Sequence, residues 1–153
     1  MQFSIPTPIP PNTTHLPSLK LALICGGTGA EHIGSIESAL WLLSQLRPDH
    51  QLGFFYQYPD GRLAEAAELP ALFETWAVHP YIKAWLDPAG AEHCRAVFRQ
   101  AIHWTGPAWT ALTSGGWDMI WPAFQGRGGE DGSFQGFCEF LGFPYAGCGI
   151  AAS

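Results

Sequence analysis

The sequence predicts an α/β domain with an open, mostly parallel sheet flanked by helices. Two apolar runs, 19–25 and 117–124, have the length of buried strands, and each one ends in a glycine-rich turn that a helical pattern follows. Repeated strand, turn and helix segments are typical of parallel sheets, because the helix carries the chain back across the sheet. A chain of 153 residues is long enough for one such domain.

Composition restricts the function classes. The net charge is −6 and the seven Lys and Arg residues do not cluster, so the basic surface that nucleic-acid binding requires is missing. No apolar run approaches the about 20 residues that cross a bilayer. The four cysteines show no C-x-x-C spacing, which predicts reduced, mostly buried thiols in a cytoplasmic protein. Seven Trp and ten Phe residues indicate apolar surface that faces a partner or a further domain.

The first strand, turn and helix are predicted near the N-terminus. The continuous apolar run 19–25 is typical of a central strand that is buried on both faces. It ends in the glycine-rich turn 26–29. Apolar residues with helical spacing then predict a helix over 35–46, with Ser35 as its N-cap.

Two other parts of the chain are less regular. Residues 1–17 contain five prolines and are predicted to be a flexible leader. A second strand is predicted over 52–58, and the stretch 59–116 after it is predicted to be a variable insertion of short helices and loops. Helical composition inside this stretch is confined to 64–76 and 89–102, and prolines interrupt it.

The third strand begins a second unit of the same kind. The strand is predicted over 117–124, the glycine-rich turn over 125–132 and the helix over 133–141. Gly142 is expected to terminate that helix, because glycine adopts the left-handed conformation common at helix C-termini. A last short strand is predicted over 144–147.

The topology places the two glycine-rich turns together. Carboxyl ends of parallel strands lie at one edge of an open sheet, where ligands bind, so the segments 26–35 and 125–133 are expected to be neighbours there. Glu31 is then suited to contact a ligand cation, and the alternative is a weak interaction with the dipole of the following helix. Glu130 and Asp131 precede the second helix, and Asp131 is predicted to be its N-cap.

The glycine pattern does not match known nucleotide loops. His32 stands where a dinucleotide-binding loop requires its third glycine, and no Gly-Lys-Ser/Thr sequence follows the first turn. Dehydrogenases of this fold also carry an acid at the end of the second strand, whereas residues 55–57 contain none. A dinucleotide-dependent dehydrogenase is therefore disfavoured.

Three segments resemble the N-terminal domain of D-alanine–D-alanine ligases. These are the first strand and loop at 21–32, the second loop and helix at 126–136, and the segment 141–149. They occur in the order that the family has, and the resemblance covers 18–153. It implies the Rossmann-like pre-ATP-grasp fold.

The resemblance also implies a reaction and a set of site residues. Family enzymes use ATP and Mg²⁺ to join two D-alanine molecules for peptidoglycan, the cell-wall polymer. Substrate binding is implied for Glu31, which would hold the ammonium group of the first D-alanine, and for Gln125 and Gly126. No catalytic or metal-binding residue is implied on this chain. A structural role in the two loops is implied for Gly26, Gly27, Gly129, Glu130, Asp131 and Gly132.

The sequence departs from the family in three respects. Gln125 stands where the family usually has histidine, and Ile33 and Gly34 replace an acid and an aliphatic residue. The resemblance is confined to the N-terminal domain, so we expect the ATP-grasp domains to be absent from this chain and do not expect ATP or Mg²⁺ to bind it. Ligase activity is expected only with those domains in cis or in trans, and a homodimer is compatible with the family. The alternative is a non-catalytic module that binds a small molecule or a protein.

Overall fold

The computed structural model describes residues 17–47, 49–101 and 104–152. The predicted leader, except for Pro17, and the predicted helix end at Ile102 lie outside these residues. Three strands form a parallel sheet in the order β2-β1-β3. Their bounds are β1 Lys20–Gly26, β2 Gln51–Gln57 and β3 Met119–Pro122. The predicted α/β fold with a parallel sheet is confirmed.

Strand β1 lies in the centre of the sheet and is buried on both faces, as its apolar run predicts. Leu21, Leu23 and Cys25 belong to one core cluster, while Ala22 and Ile24 belong to the other. The alternation follows from the period of two in a strand. Each face of the sheet is therefore covered by its own layer of helices.

Six helices supply these two layers within the described part of the chain. The first layer contains α1, α2, α3 and α4, and the second contains α5 and α6. Residues of the stretch predicted to be an insertion thus belong to the hydrophobic core on both faces of the sheet. The limits of the insertion at 59 and 116 stay a prediction. The helices are α1 His32–Gln45, α2 Leu69–Ala77, α3 Pro80–Lys83, α4 Pro88–Gln100, α5 Ala108–Ser114 and α6 Ser133–Leu141, with 3₁₀ turns at Ala66–Glu68 and Ile150–Ala152.

Two predicted boundaries are wrong. Helix α1 begins at His32, so Ser35 is inside its first turn and is not the N-cap. The reason is that the Ser35 hydroxyl is already bonded to the sheet, to the backbone of Gly26 and Ala123. The strand predicted over 144–147 is reduced to one parallel bridge between Ile120 and Tyr145.

The C-terminal end of α6 agrees with the prediction. Gly142 terminates the helix in the left-handed conformation, with φ of +70°, and its N–H bonds to carbonyl groups of the last turn. Cys25, Cys94 and Cys138 are buried and Cys148 is exposed, and none is in a disulfide. Burial raises the pKa of the Cys94 and Cys138 thiols to about 11. The prediction of mostly buried thiols is confirmed.

Candidate functional site

Two glycine-rich loops meet at the carboxyl edge of the sheet. Loop 1, residues 27–31, follows β1, and loop 2, residues 125–132, follows β3. A Cβ atom on Gly29 would lie 3.3 Å from Glu31 Oε2 and 3.8 Å from the carbonyl oxygen of Arg127. The two loops are therefore in contact, as the topology predicts.

The carboxylate of Glu31 lies directly over Gly126 of loop 2. A side chain at position 126 would displace this carboxylate, and the φ of +69° at Gly126 also favours glycine. Glu31 is exposed and occupies the N-cap position of α1, but its side chain makes no capping hydrogen bond. Within the described part of the chain this carboxylate has no salt-bridge partner. The site thus contains an exposed carboxylate that lies against loop 2 and is accessible to a cationic ligand.

Internal hydrogen bonds fix the shape of loop 2. The Glu130 carboxylate accepts a hydrogen bond of 2.6 Å from the N–H of Gly126, and the side-chain amide of Gln135 donates one of 2.7 Å to the carbonyl of Gly129. The carbonyl of Gly126 also accepts bonds from the N–H groups of Gly129 and Glu130. Glu130 therefore closes loop 2 on itself, and Gln135 ties the loop to α6.

Asp131 holds the end of loop 2, although not as the predicted N-cap. The N-cap of α6 is Gly132, whose φ of +81° is in the left-handed region that glycine tolerates. This turn lets the carboxylate of Asp131 accept bonds from the N–H groups of Gly128 at 2.9 Å and of Ser133 at 3.1 Å. The N-cap prediction is wrong by one residue, because the loop needs a positive φ just before the helix.

We expect loop 2 to lose order in acid. Hydrogen bonds from the backbone of Gly128 and from Ser133 lower the pKa of Asp131 from 3.8 to about 2. Because folding lowers this pKa, the ionised carboxylate stabilises the folded loop at pH values above its ordinary pKa of 3.8. This stabilisation is lost as the pH falls through about 2. NMR titration of the Gly128 and Ser133 amides should show one transition near that pH. The transition should vanish in Asp131→Asn, and a midpoint near 4 in the unaltered protein would contradict the expectation.

Two polar side chains in the first turn of α1 attach loop 1 to the sheet. The Ser35 hydroxyl accepts a 2.8 Å bond from the N–H of Gly26 and donates a 2.7 Å bond to the carbonyl of Ala123, at the end of β3. The His32 ring contacts the carbonyl of Gly27 at 2.7 Å and the hydroxyl of Tyr56 at 2.8 Å. Neither role was predicted from the sequence, and for Ser35 the available signal was a polar residue on the apolar face of the predicted helix.

The side chain of Gln125 is directed onto α1. Its amide nitrogen donates a 2.6 Å bond to the Ser38 hydroxyl, and its amide oxygen lies 2.5 Å from the place of a Cβ atom on Gly34. Gln125 is also a lining residue of two open clefts. A cleft of about 330 Å³ includes Thr28 and Ser133 among its lining residues, and one of about 540 Å³ lies along α1.

The described residues contain no group of three His, Cys, Asp or Glu side chains that could hold a metal ion. None of the described helices has both the length and the apolar character needed to cross a membrane.

The parallel sheet and the two loops at its carboxyl edge define an α/β domain of the Rossmann-like class. Residues 20–148 match the family described as the D-ala D-ala ligase N-terminus. The chain therefore belongs to the family of D-alanine–D-alanine ligase N-terminal domains.

Individual relatives agree with this family. The chain is 30% identical over 136 residues to the D-alanine–D-alanine ligase of Chlorobium phaeovibrioides, covering 88% of this chain and 36% of that protein. It is 29% identical to the vancomycin C-type resistance protein VanC2 of Enterococcus casseliflavus, covering 88% and 37%. The chain thus spans little more than a third of the length of these relatives.

Solved structures show the same fold. The D-alanine–D-alanine ligase of Coxiella burnetii superposes with a TM-score of 0.54 at 26% identity, over 87% of this chain and 36% of that one. The VanG D-Ala:D-Ser ligase of Enterococcus faecalis superposes with a TM-score of 0.52 at 16% identity, over 88% and 37%. The second comparison concerns the fold alone.

Proposed function

We propose that this chain is the amino-acid-binding N-terminal domain of an ATP-dependent, cytoplasmic D-alanine–D-alanine ligase that makes a peptidoglycan precursor. The observation that carries the proposal is the accessible Glu31 carboxylate over Gly126. Relatives of this chain include D-alanine–D-alanine ligases, and D-alanine carries an ammonium group that such a carboxylate can bind.

The chemistry of this edge suits a small amino acid. A hydrogen bond to a charged group contributes about 1.5–3 kcal/mol, and it is short and directional. Gly126 has no side chain, so nothing from loop 2 covers the carboxylate, and the loop backbone can approach the ligand. Glu31 and Gly126 are therefore the residues proposed to bind the ammonium group, with loop 2 fixed beneath them by Glu130 and Asp131.

The described residues do not fit ATP or Mg²⁺. Loop 1 carries no lysine, and no three acidic, His or Cys side chains converge in the described ranges. We therefore derive no step through the nucleotide. In the proposal, phosphate chemistry belongs to the part of the relatives that this chain does not span, supplied in cis or in trans.

Glu31→Gln is expected to weaken D-alanine binding by about tenfold or more, because a charge-assisted hydrogen bond of about 1.5–3 kcal/mol is replaced by a neutral one. Isothermal calorimetry or NMR titration with D-alanine measures the dissociation constant. Glu92→Gln is the matched control, since Glu92 is an exposed carboxylate on α4 that lines neither cleft at Gln125, and it should leave the affinity unchanged. Equal affinity of Glu31→Gln and the unaltered protein, or no saturable binding by the latter, would refute the proposal.

A further inference from the structure

The side-chain amide of Gln125 contacts α1, and this contact is separate from the substrate contact that the family resemblance implies for Gln125. The amide nitrogen of Gln125 donates to Ser38 at 2.6 Å, and the amide oxygen occupies the space that a side chain at Gly34 would fill. Residues 34 and 38 are one helical turn apart, so they lie on the same face of α1. Both polar ends of the Gln125 amide thus face the helix.

These contacts link the same two segments that form the proposed ammonium site. Glu31 is the residue before α1, and Gly126 follows Gln125 in loop 2. Glu31 contacts Gly126, and Ser38 contacts Gln125, so α1 and loop 2 meet at two successive points. A shift of Gln125 along α1 would move Gly126 relative to the Glu31 carboxylate.

Position 34 determines whether this arrangement is possible. A methyl group at Gly34 would lie 2.5 Å from the amide oxygen and 3.3 Å from the amide carbon of Gln125. The first distance is far below normal contact for a carbon and an oxygen. The amide of Gln125 would have to shift, which would strain its bond to Ser38.

We propose that the Gln125–Ser38 hydrogen bond, in the space left by Gly34, is a latch that positions loop 2 against Glu31. Gln125 is then a positioning residue, which raises the affinity for the ammonium ligand through Glu31 and not by touching the ligand. This inference rests on the proposed D-alanine site. Gln125 is neutral at every pH of interest, so the latch holds loop 2 without a protonation step.

Ser38→Val and Ser38→Thr form a matched pair that tests the latch. Both residues are β-branched and disfavour the helix equally, but only threonine keeps the hydroxyl. We expect Ser38→Val to weaken D-alanine binding about three- to tenfold, the effect of one lost hydrogen bond. Ser38→Thr should keep an affinity close to that of the unaltered protein. If the unaltered protein binds D-alanine, equal affinity of the two variants would overturn the latch.

A second pair of variants tests the space at position 34. Gly34→Ala should weaken D-alanine binding in the otherwise unaltered protein. In a Gln125→Ala background the same substitution should have little effect, because the amide that it displaces is absent. Independent effects of the two substitutions would overturn the proposal, since residues that share one contact are expected to be coupled.

NMR of the ligand-free variants separates the latch from the ligand site. The Gln125 side-chain amide and the Glu31 carboxyl resonances should shift together in Ser38→Val and remain in place in Ser38→Thr. Shifts of both resonances with no D-alanine binding by the unaltered protein would support the latch and refute the ammonium site. Unshifted Glu31 in Ser38→Val would overturn the latch even if D-alanine binds.

Discussion

Gly26→Ala is expected to lower the free energy of unfolding by about 3 kcal/mol or more. Gly26 has φ of +94°, where an L side chain is strained, and its Cβ would collide with the carbonyl oxygen of Gln57. That carbonyl accepts a 3.0 Å bond from the N–H of Gly27. Relief of the collision would therefore separate β1 from β2 at the end that carries loop 1.

Gly128→Ala is the matched control for this effect. Gly128 has nearly the same φ, +92°, but a Cβ atom there would meet nothing within 4 Å. Gly128→Ala should lower the free energy of unfolding only by the backbone strain at this φ, about 1–2 kcal/mol. Urea unfolding of both variants measures the difference, and equal losses would show that the approach of Gly26 to Gln57 is unimportant.

Ser35→Ala is expected to destabilise the fold by about 2–4 kcal/mol, because it leaves two buried backbone groups without partners. Ser35 is fully buried. Its hydroxyl accepts from the N–H of Gly26 and donates to the carbonyl of Ala123, and so it joins the ends of β1 and β3. Loss of this bridge should also loosen the strand ends from which both loops begin.

Ser44→Ala provides the comparison within the same helix. The Ser44 hydroxyl donates to the carbonyl of Trp41 near the exposed end of α1, where water can replace it. Chemical unfolding should show a change within about 0.5 kcal/mol for this variant. A Ser35→Ala protein as stable as Ser44→Ala would mean that water satisfies the Gly26 and Ala123 groups.

The fold was predictable where a local pattern and its environment agree. The continuous apolar run of β1 is buried on both faces, and α6 spans the predicted 133–141 because Gly142 terminates it. The interrupted middle of the chain was harder, since its prolines suggested breaks. Pro70, Pro80 and Pro88 instead lie in the first turns of α2, α3 and α4, where proline needs no N–H partner.

The site was predictable only in its location. Sheet topology alone brings the two loops together and puts Glu31 at their junction. The contact of Gln125 with Ser38 joins residues 87 positions apart, and that of Ser35 with Ala123 joins residues 88 apart. No local pattern encodes such pairs, because their geometry depends on how α1 is packed on the sheet. The left-handed turn at Gly132, which displaces Asp131 from the N-cap, was likewise not visible in composition.

The contacts of His32 determine where its hydrogen atom resides. A carbonyl can only accept, so the nitrogen Nδ1, 2.7 Å from the Gly27 carbonyl, must carry the hydrogen. In the neutral ring Nε2 then presents a lone pair, and the Tyr56 hydroxyl 2.8 Å away donates to it. Burial raises the pKa of that hydroxyl to about 12, so the phenol keeps its hydrogen. The pair therefore adopts a single tautomer with one direction of donation, from tyrosine through imidazole to the backbone of loop 1.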